Sequence, residues 1–192
     1  MPTRHMTDKS APRPGGRSAR VQTAVHQAVR ELQQEQGRTG LTVPAIAARA
    51  GVTPSTIYRR WGDLAQLLAD VAVEQLQPEQ PPADTGSFYS DLLAWLVQYV
   101  DEMSSAPGRA MLRDVLGTEG HAGAGKCDGF LRQQIEAIRE RALAKGEQPV
   151  ATDLIIRIVV APLIYRILFA NETPTAQAVE ALFEQVVNAQ ET

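Results

Sequence analysis

The chain is 192 residues long, 44% hydrophobic and 21% charged, with 19 Lys+Arg against 22 Asp+Glu and a formal net charge of -3. That length suits one domain or two small ones, and it buries roughly 70% of the unfolded surface, so no disulfide or metal staple is required. One cysteine, Cys127, excludes an internal disulfide framework and a Cys-rich zinc site, and His5, His26 and His121 are too scattered to suggest a metal cluster.

No segment of useful length alternates with period two. Apolar residues recur at three and four instead, so the expected fold class is all-α, with about nine helices and no strand. Met1–Gly16 is rich in Pro, Gly and Arg and reads as a disordered basic arm. Met1–Arg20 lacks the apolar core of a secretory signal, and with one cysteine the expected compartment is a reducing cytosol. The first helix is expected over Ser18–Gln36, with Val21, Val25, Ala28, Val29 and Leu32 on one face, ended by Gly37 and Gly40. The second runs from Thr42, an N-cap, to Ala50, with Ile46, Ala47 and Ala50 inward and Gly51 at the left-handed C-cap. The third takes Thr53 as N-cap and Pro54 as its first residue and reaches Arg60. The fourth takes Asp63 as N-cap and reaches about Gln77.

Pro78, Pro81, Pro82, Asp84 and Gly86 then make a linker, the best candidate for a domain boundary. Beyond it helices are expected over Ser87–Ser104, Pro107–Leu116, Asp128–Lys145, Thr152–Ala170 and Pro174–Ala189, with Gly117–Lys126 a Gly-rich loop or mobile lid. The organisation expected is an arm (1–16), a helical head (17–62), a connecting helix (63–77) and a body (78–192). Leu154–Ala170 is the one stretch apolar enough to raise a membrane span. It carries Arg157, Pro162 and Arg166 and is short for the task, so a buried helix, kinked at Pro162, is expected.

The informative segment is Thr42–Trp61, TVPAIAARAGVTPSTIYRRW: two short helices joined through a glycine, the pattern of a helix-turn-helix. Ile46, Ala47 and Ala50 let the helices approach, Gly51 turns, Val52 plugs the gap and Ile57 anchors the second helix. The front of that helix carries hydroxyls, and its N-terminal amides suit phosphate. Docked N-terminus first in a major groove, it would aim Pro54, Ser55 and Arg59 at base edges. Thr42, Thr53, Thr56, Tyr58 and Arg60 would meet phosphates, with Arg13, Arg17 and Arg20 reaching the backbone or the adjacent minor groove. An ordinary helical hairpin with a polar face would show the same small residues. Charge distinguishes the two: residues 1–60 hold ten Lys/Arg and three acids, a net +7, against -10 in the remainder. A basic head on an acidic body is the electrostatic footprint of nucleic-acid binding.

The head, LTVPAIAARAGVTPSTIYRRWGDLAQLL (Leu41–Leu68) with the helix before it, resembles the TetR family of bacterial transcriptional regulators. ERALAKGE (Glu140–Glu147) and APLIYRILFANE (Ala161–Glu172) look like the C-terminal region of one large subgroup of that family. The resemblance implies an all-α homodimer that binds a double-stranded DNA operator, with Thr53–Arg60 as recognition helix and Tyr58 on a phosphate. It also implies a body that binds an unidentified small-molecule effector and then releases the operator. An activator or other non-repressive regulator with the same head is the alternative. Where the family often carries a lysine for the DNA backbone after a short turn, this chain has Gly62, Asp63 and then Leu64, so that contact is not carried over.

Thr152–Ala170 is too apolar for a one-sided surface helix, so a second face is expected to meet something, either a partner chain or the protomer's own core. Ile155, Ile158, Val159 and Leu163, with Leu182, Phe183 and Val186 of the last helix, are the candidates for an isologous four-helix interface. Trp95, Tyr99, Met103, Met111, Leu112, Phe130 and Ile135 are the candidates for an apolar effector cavity, although stripes at this spacing also serve as plain core. Gly120–Cys127, GHAGAGKC, nearly reproduces a phosphate-binding loop, but Cys127 replaces the Ser/Thr that ligates magnesium and no strand precedes it. No nucleophile–base pair stands out. No enzyme activity, cofactor, metal or membrane partner is expected.

Overall fold

The computed structural model describes residues 16–118 and 122–188; the expected arm, Arg13, His5, and Gly120 with His121 lie outside them. Nine helical rods and no strand make up the described residues: α1 (Arg17–Gln36), α2 (Val43–Ala50), α3 (Pro54–Trp61), α4 (Leu64–Gln75), α5 (Phe88–Ser104), α6 (Ala106–Leu116), α7 (Ala122–Ala144), α8 (152–168) and α9 (Ala176–Asn188). They divide into two compact units, one ending at Leu67 and the other beginning at Leu68, so the division falls within α4 and not in the proline-rich linker.

In the first unit α1 lays Val25, Ala28, Val29 and Leu32 against Ile46 and Ala47 of α2 and Ile57 of α3, all of them buried. The spacing of these residues at three and four makes each helix amphipathic, and burying the shared apolar face drives the unit together.

The second unit encloses a larger core built from Leu92, Leu96, Ile135, Ile138, Val159, Leu163 and Phe183 among others. Gly108 admits α6 against α5, because a Cβ there would lie 2.0 Å from the Glu102 carbonyl oxygen. Arg109 then ties the ends of α5 and α8 together: its guanidinium donates to the carbonyls of Ser104 and Ile167, and to that of Glu172 in the loop after α8. Positive charge at helix C-termini is favourable.

Two expectations change here. α7 begins at Ala122, so Ala122–Lys126 form its first turns and not a loop or lid. A Cβ at Gly123 would lie in ordinary van der Waals contact with Val73 Cγ2 (3.4 Å) and Val115 Cγ1 (3.7 Å), so this first turn packs against both side chains. In α8 the stretch just before Pro162 is a π-helical turn over Ile156–Val160 and not regular α-helix, closed by the Ala161 amide donating to the Ile156 carbonyl. A proline lacks the amide that the regular ladder needs, and a widened turn upstream reconciles the register.

The segment 78–86 is strapped to the body. Arg141 donates to the Pro82 carbonyl (3.1 Å), the Ala83 carbonyl (2.6 Å) and Asp91 Oδ2 (3.0 Å). Lys145 pairs with Asp84 at 2.8 Å, and Thr85 donates its amide and hydroxyl to Asp91 Oδ1 at 2.5 and 2.7 Å.

Candidate nucleic-acid interface and body cavity

The turn between α2 and α3 follows from local chemistry. The Thr42 hydroxyl accepts the Ala45 amide and starts α2. Gly51, at φ 67 and ψ 31, lets the Gly51 amide reach the Ala48 carbonyl and the Val52 amide the Ala47 carbonyl. These two reverse bonds close the helix in a Schellman arrangement that favours glycine at the left-handed position. Thr53 opens α3, but its hydroxyl engages Ser55 Oγ (2.9 Å) and Thr56 Oγ1 (3.0 Å) and caps no amide. The first turn of α3 therefore presents amides uncapped by any side chain, the arrangement that suits an anion. Ile57 and Trp61 face inward, while Pro54, Ser55, Tyr58 and Arg59 are exposed. At the end of α3, Asp63 accepts the Gln66 amide at 2.8 Å, so it is the N-cap of α4.

An open recess of about 930 Å³ brings Arg17, Thr53, Thr56, Arg59 and Arg60 together on this face. The arginines differ in what they do. Arg60 donates to the Ser18 carbonyl and hydroxyl at 3.0 and 2.7 Å and to Gln22 Oε1, and its guanidinium lies 5.1 Å from the Trp61 ring centroid. Its planar fork fastens the end of α3 to the start of α1, which makes Arg60 a positioning residue more than a phosphate ligand. Arg49, counted as part of the basic footprint, is matched by Glu35 and Glu31 at 2.7 and 3.2 Å. Hydrogen bonds that Arg49 donates to Glu35 and then to Glu31 raise the Arg49 pKa; hydrogen bonds from Gln27 and then Arg49 lower the Glu31 carboxyl, and those from Arg49 lower the Glu35 carboxyl. The guanidinium groups of Arg17, Arg20 and Arg59 have no hydrogen-bonded partner among the described residues. His26, passed over in the sequence, is fully buried in the head with its ring centroid 6.0 Å from that of Trp61. Its place beside Val25 and one turn before Val29 and Arg30 was the available signal.

The body holds a cavity of about 760 Å³. Trp95, Tyr99, Met103, Met111, Leu112 and Phe130 all line it, joined by the strap residues from Gln77 to Ala83 and by Cys127 and Gln134. Ile135 does not: it is fully buried in the main core, on the neighbouring face of α7. Burial raises the Tyr99 phenol and the Cys127 thiol above their ordinary pKa values.

The expected interface residues need a larger correction. Ile155, Val159, Leu163, Phe183 and Val186 are each 0% exposed inside the protomer's own core, so they have no surface to offer a second chain. Only Ile158 and Leu182 keep a half-buried outer edge. A helix apolar on every side does not reveal which face looks inward. The outward face of α8 carries Leu154, Ile158 and Tyr165, and Phe169 follows at its end; Tyr165 and Phe169 stack at 5.3 Å and are 62% and 75% exposed.

Residues 27–71 match the bacterial regulatory proteins of the tetR family, and residues 82–186 match the tetracyclin repressor-like C-terminal domain. The chain belongs to the TetR family. The regulator is 30% identical over 182 residues to the HTH-type transcriptional regulator AqdR of Rhodococcus erythropolis, spanning 89% of this chain and 87% of that one. It is 30% identical to an HTH-type regulator of Mycobacterium tuberculosis, Rv1556, over 81% of this chain and 80% of the relative. Its fold is that of Thermus thermophilus FadR, a TetR-family repressor solved with lauroyl-CoA: TM-score 0.62, 13% identity, covering 86% of this chain and 93% of that one. The regulator is therefore a helix-turn-helix transcriptional regulator in a family of such regulators, not of enzymes. Members bind DNA as dimers and respond to small molecules. No helix among the described residues is long and apolar enough to cross a membrane.

Proposed function

We propose that the regulator is a repressor that grips a palindromic operator as a homodimer and is released when a small molecule enters the body. The observation that carries this reading is the exposed α3 surface: Ser55, Tyr58 and Arg59 point outward beside uncapped amides, and Arg59 has no partner among the described residues. An arginine held ready at this position suits a bidentate contact to guanine, and Tyr58 suits a phosphate. Thr42, Thr53, Pro54 and Thr56 complete the DNA face, with Arg17 and Arg20 against the backbone. The repressor acts sterically, by occupying the promoter, in the cytoplasm.

The dimer is expected to close over Leu154, Ile158, Tyr165 and Phe169, with Leu182 of α9. The effector site is the cavity. α4 begins at the Asp63 cap, directly after the recognition helix, and the residues that end it, Gln75 and Leu76, line the cavity. A ligand that displaces this helix end changes the spacing of the two heads. FadR is in complex with lauroyl-CoA; at 13% identity it supports the fold and not that ligand.

The test is an operator titration with half-sites set about one helical turn apart, roughly 34–36 Å, and again with half a turn added. Tight binding to the first spacing and loss of it on the second is the expected result. Equal affinity for both would remove the two-headed grip.

A further inference from the structure

The cavity has a chemistry that narrows what it holds, on the reading that it is the effector site. Trp95 and Tyr99 both line the cavity and stack on each other at 5.3 Å with their planes 16° apart, a pair of near-parallel rings that a third can extend. Such a pair favours another flat ring against it. Gln134 supplies a polar handle: its side chain is 9% exposed and has no hydrogen-bond partner among the described residues. Because no fully enclosed side-chain nitrogen or oxygen lacks a partner, the Gln134 amide must open onto the cavity that it lines. Tyr99 is a second handle, its phenol kept protonated by burial and so a donor at neutral pH. Open to the cavity, these groups are hydrated when no ligand is bound, so a ligand gains at them only by replacing the hydrogen bonds of that water.

Charge sets the third constraint. No Lys or Arg lines the cavity, whereas Glu79 and Glu102, both exposed, do. An anion entering it would lose water, find no lining cation and meet two like charges that solvent screens only in part. We propose that the cavity takes a flat aromatic compound, uncharged or cationic, whose ring heteroatom or carbonyl meets Gln134 and Tyr99, and that it rejects carboxylates and phosphate esters.

Pyronin Y and fluorescein share a xanthene ring system and carry opposite charge; fluorescein also bears a carboxyphenyl ring, so the electrostatic part is the share of the gap that the glutamate replacements below remove. The full chain is titrated into each without DNA and fluorescence anisotropy is read. Pyronin Y is expected to bind at least about tenfold more tightly than fluorescein. Acridone, a flat neutral ring system with one carbonyl, is titrated in the same way, and Gln134→Leu is expected to weaken it about tenfold. Replacing the exposed pair together, Glu79→Gln with Glu102→Gln, is expected to narrow the gap between the dyes without touching the core. Equal or tighter binding of fluorescein, binding of neither dye, an acridone affinity unmoved by Gln134→Leu, or a pyronin Y affinity unmoved by Trp95→Leu would each overturn the proposal. Since this titration contains no DNA, its failure leaves the operator experiment standing, and a failed operator experiment leaves the dye selectivity intact.

Discussion

Arg59 and Arg60 are neighbours in sequence with different fates. Arg60 is spent on Ser18, Gln22 and the Trp61 ring, whereas Arg59 has no partner among the described residues. Arg49 is a third case, its charge answered by two glutamates within the head. The basic residues of the head are therefore unequal toward DNA, and salt dependence is the measurement that separates them. Arg59→Ala is expected to cost about 1–3 kcal/mol of discrimination at one operator position. Arg49→Gln is expected to leave sequence preference and salt slope nearly unchanged, because that guanidinium displaces few counterions when its own carboxylates already neutralise it. Operator titrations from low to moderate salt check both. An Arg49 variant that flattens the salt slope as much as a loss at Arg17 or Arg20 would show the glutamates to be no screen.

Elements are held by side chains as much as by their own hydrogen bonds, and the strap 78–86 shows it. Asp91 is 2% exposed and pairs with Arg141 at 2.8 Å. Burial alone would raise its pKa. Hydrogen bonds from the Thr85 amide and hydroxyl and from Arg141 outweigh that and hold Asp91 below its ordinary value. A carboxyl depressed in the folded state stabilises the fold above the unfolded-chain pKa, about 3.9, and that stability is lost as the pH falls through the folded value. Urea midpoints of the full chain are thus expected to drop below about pH 4, and less steeply in Asp91→Asn. At pH 7 the substitution is expected to cost about 3 kcal/mol, the low end for a broken buried pair, since Arg141 keeps 23% of its side-chain surface exposed. Proline content alone marked this segment as a boundary in the sequence. The bonds that bind it come from Asp91 and from Arg141 and Lys145, the last two some sixty residues away, which local pattern does not show. The helix-turn-helix, by contrast, was legible almost residue by residue, because Thr42, Gly51, Pro54 and Ile57 act through caps, turns and periodicity within a few positions of themselves. The cavity was half legible: aromatic spacing placed its wall, while Gln134 and the strap depend on packing between distant elements.

At the scale of the whole molecule the question is where two copies meet. The residues first expected at that interface are consumed by the protomer's own core, which leaves a smaller set outside. An exposed stacked pair of aromatics, Tyr165 and Phe169, in line with Leu154 and Ile158, is the kind of apolar surface that monomers rarely leave in water. A two-fold axis past this face would set each stripe against its copy and complete a four-helix contact with α9. Because Tyr165 is 62% exposed, Tyr165→Glu adds a charge without opening the core, so the fold is expected to survive. Two glutamates facing each other across the axis would repel within an apolar contact, and sedimentation is expected to report a monomer. Operator affinity should then fall about 10²–10⁴-fold, because the second head loses its effective concentration, while affinity for a single half-site stays where it was. A Tyr165→Glu protein that remains dimeric, with full affinity for the palindrome, would move the interface to another face of the body.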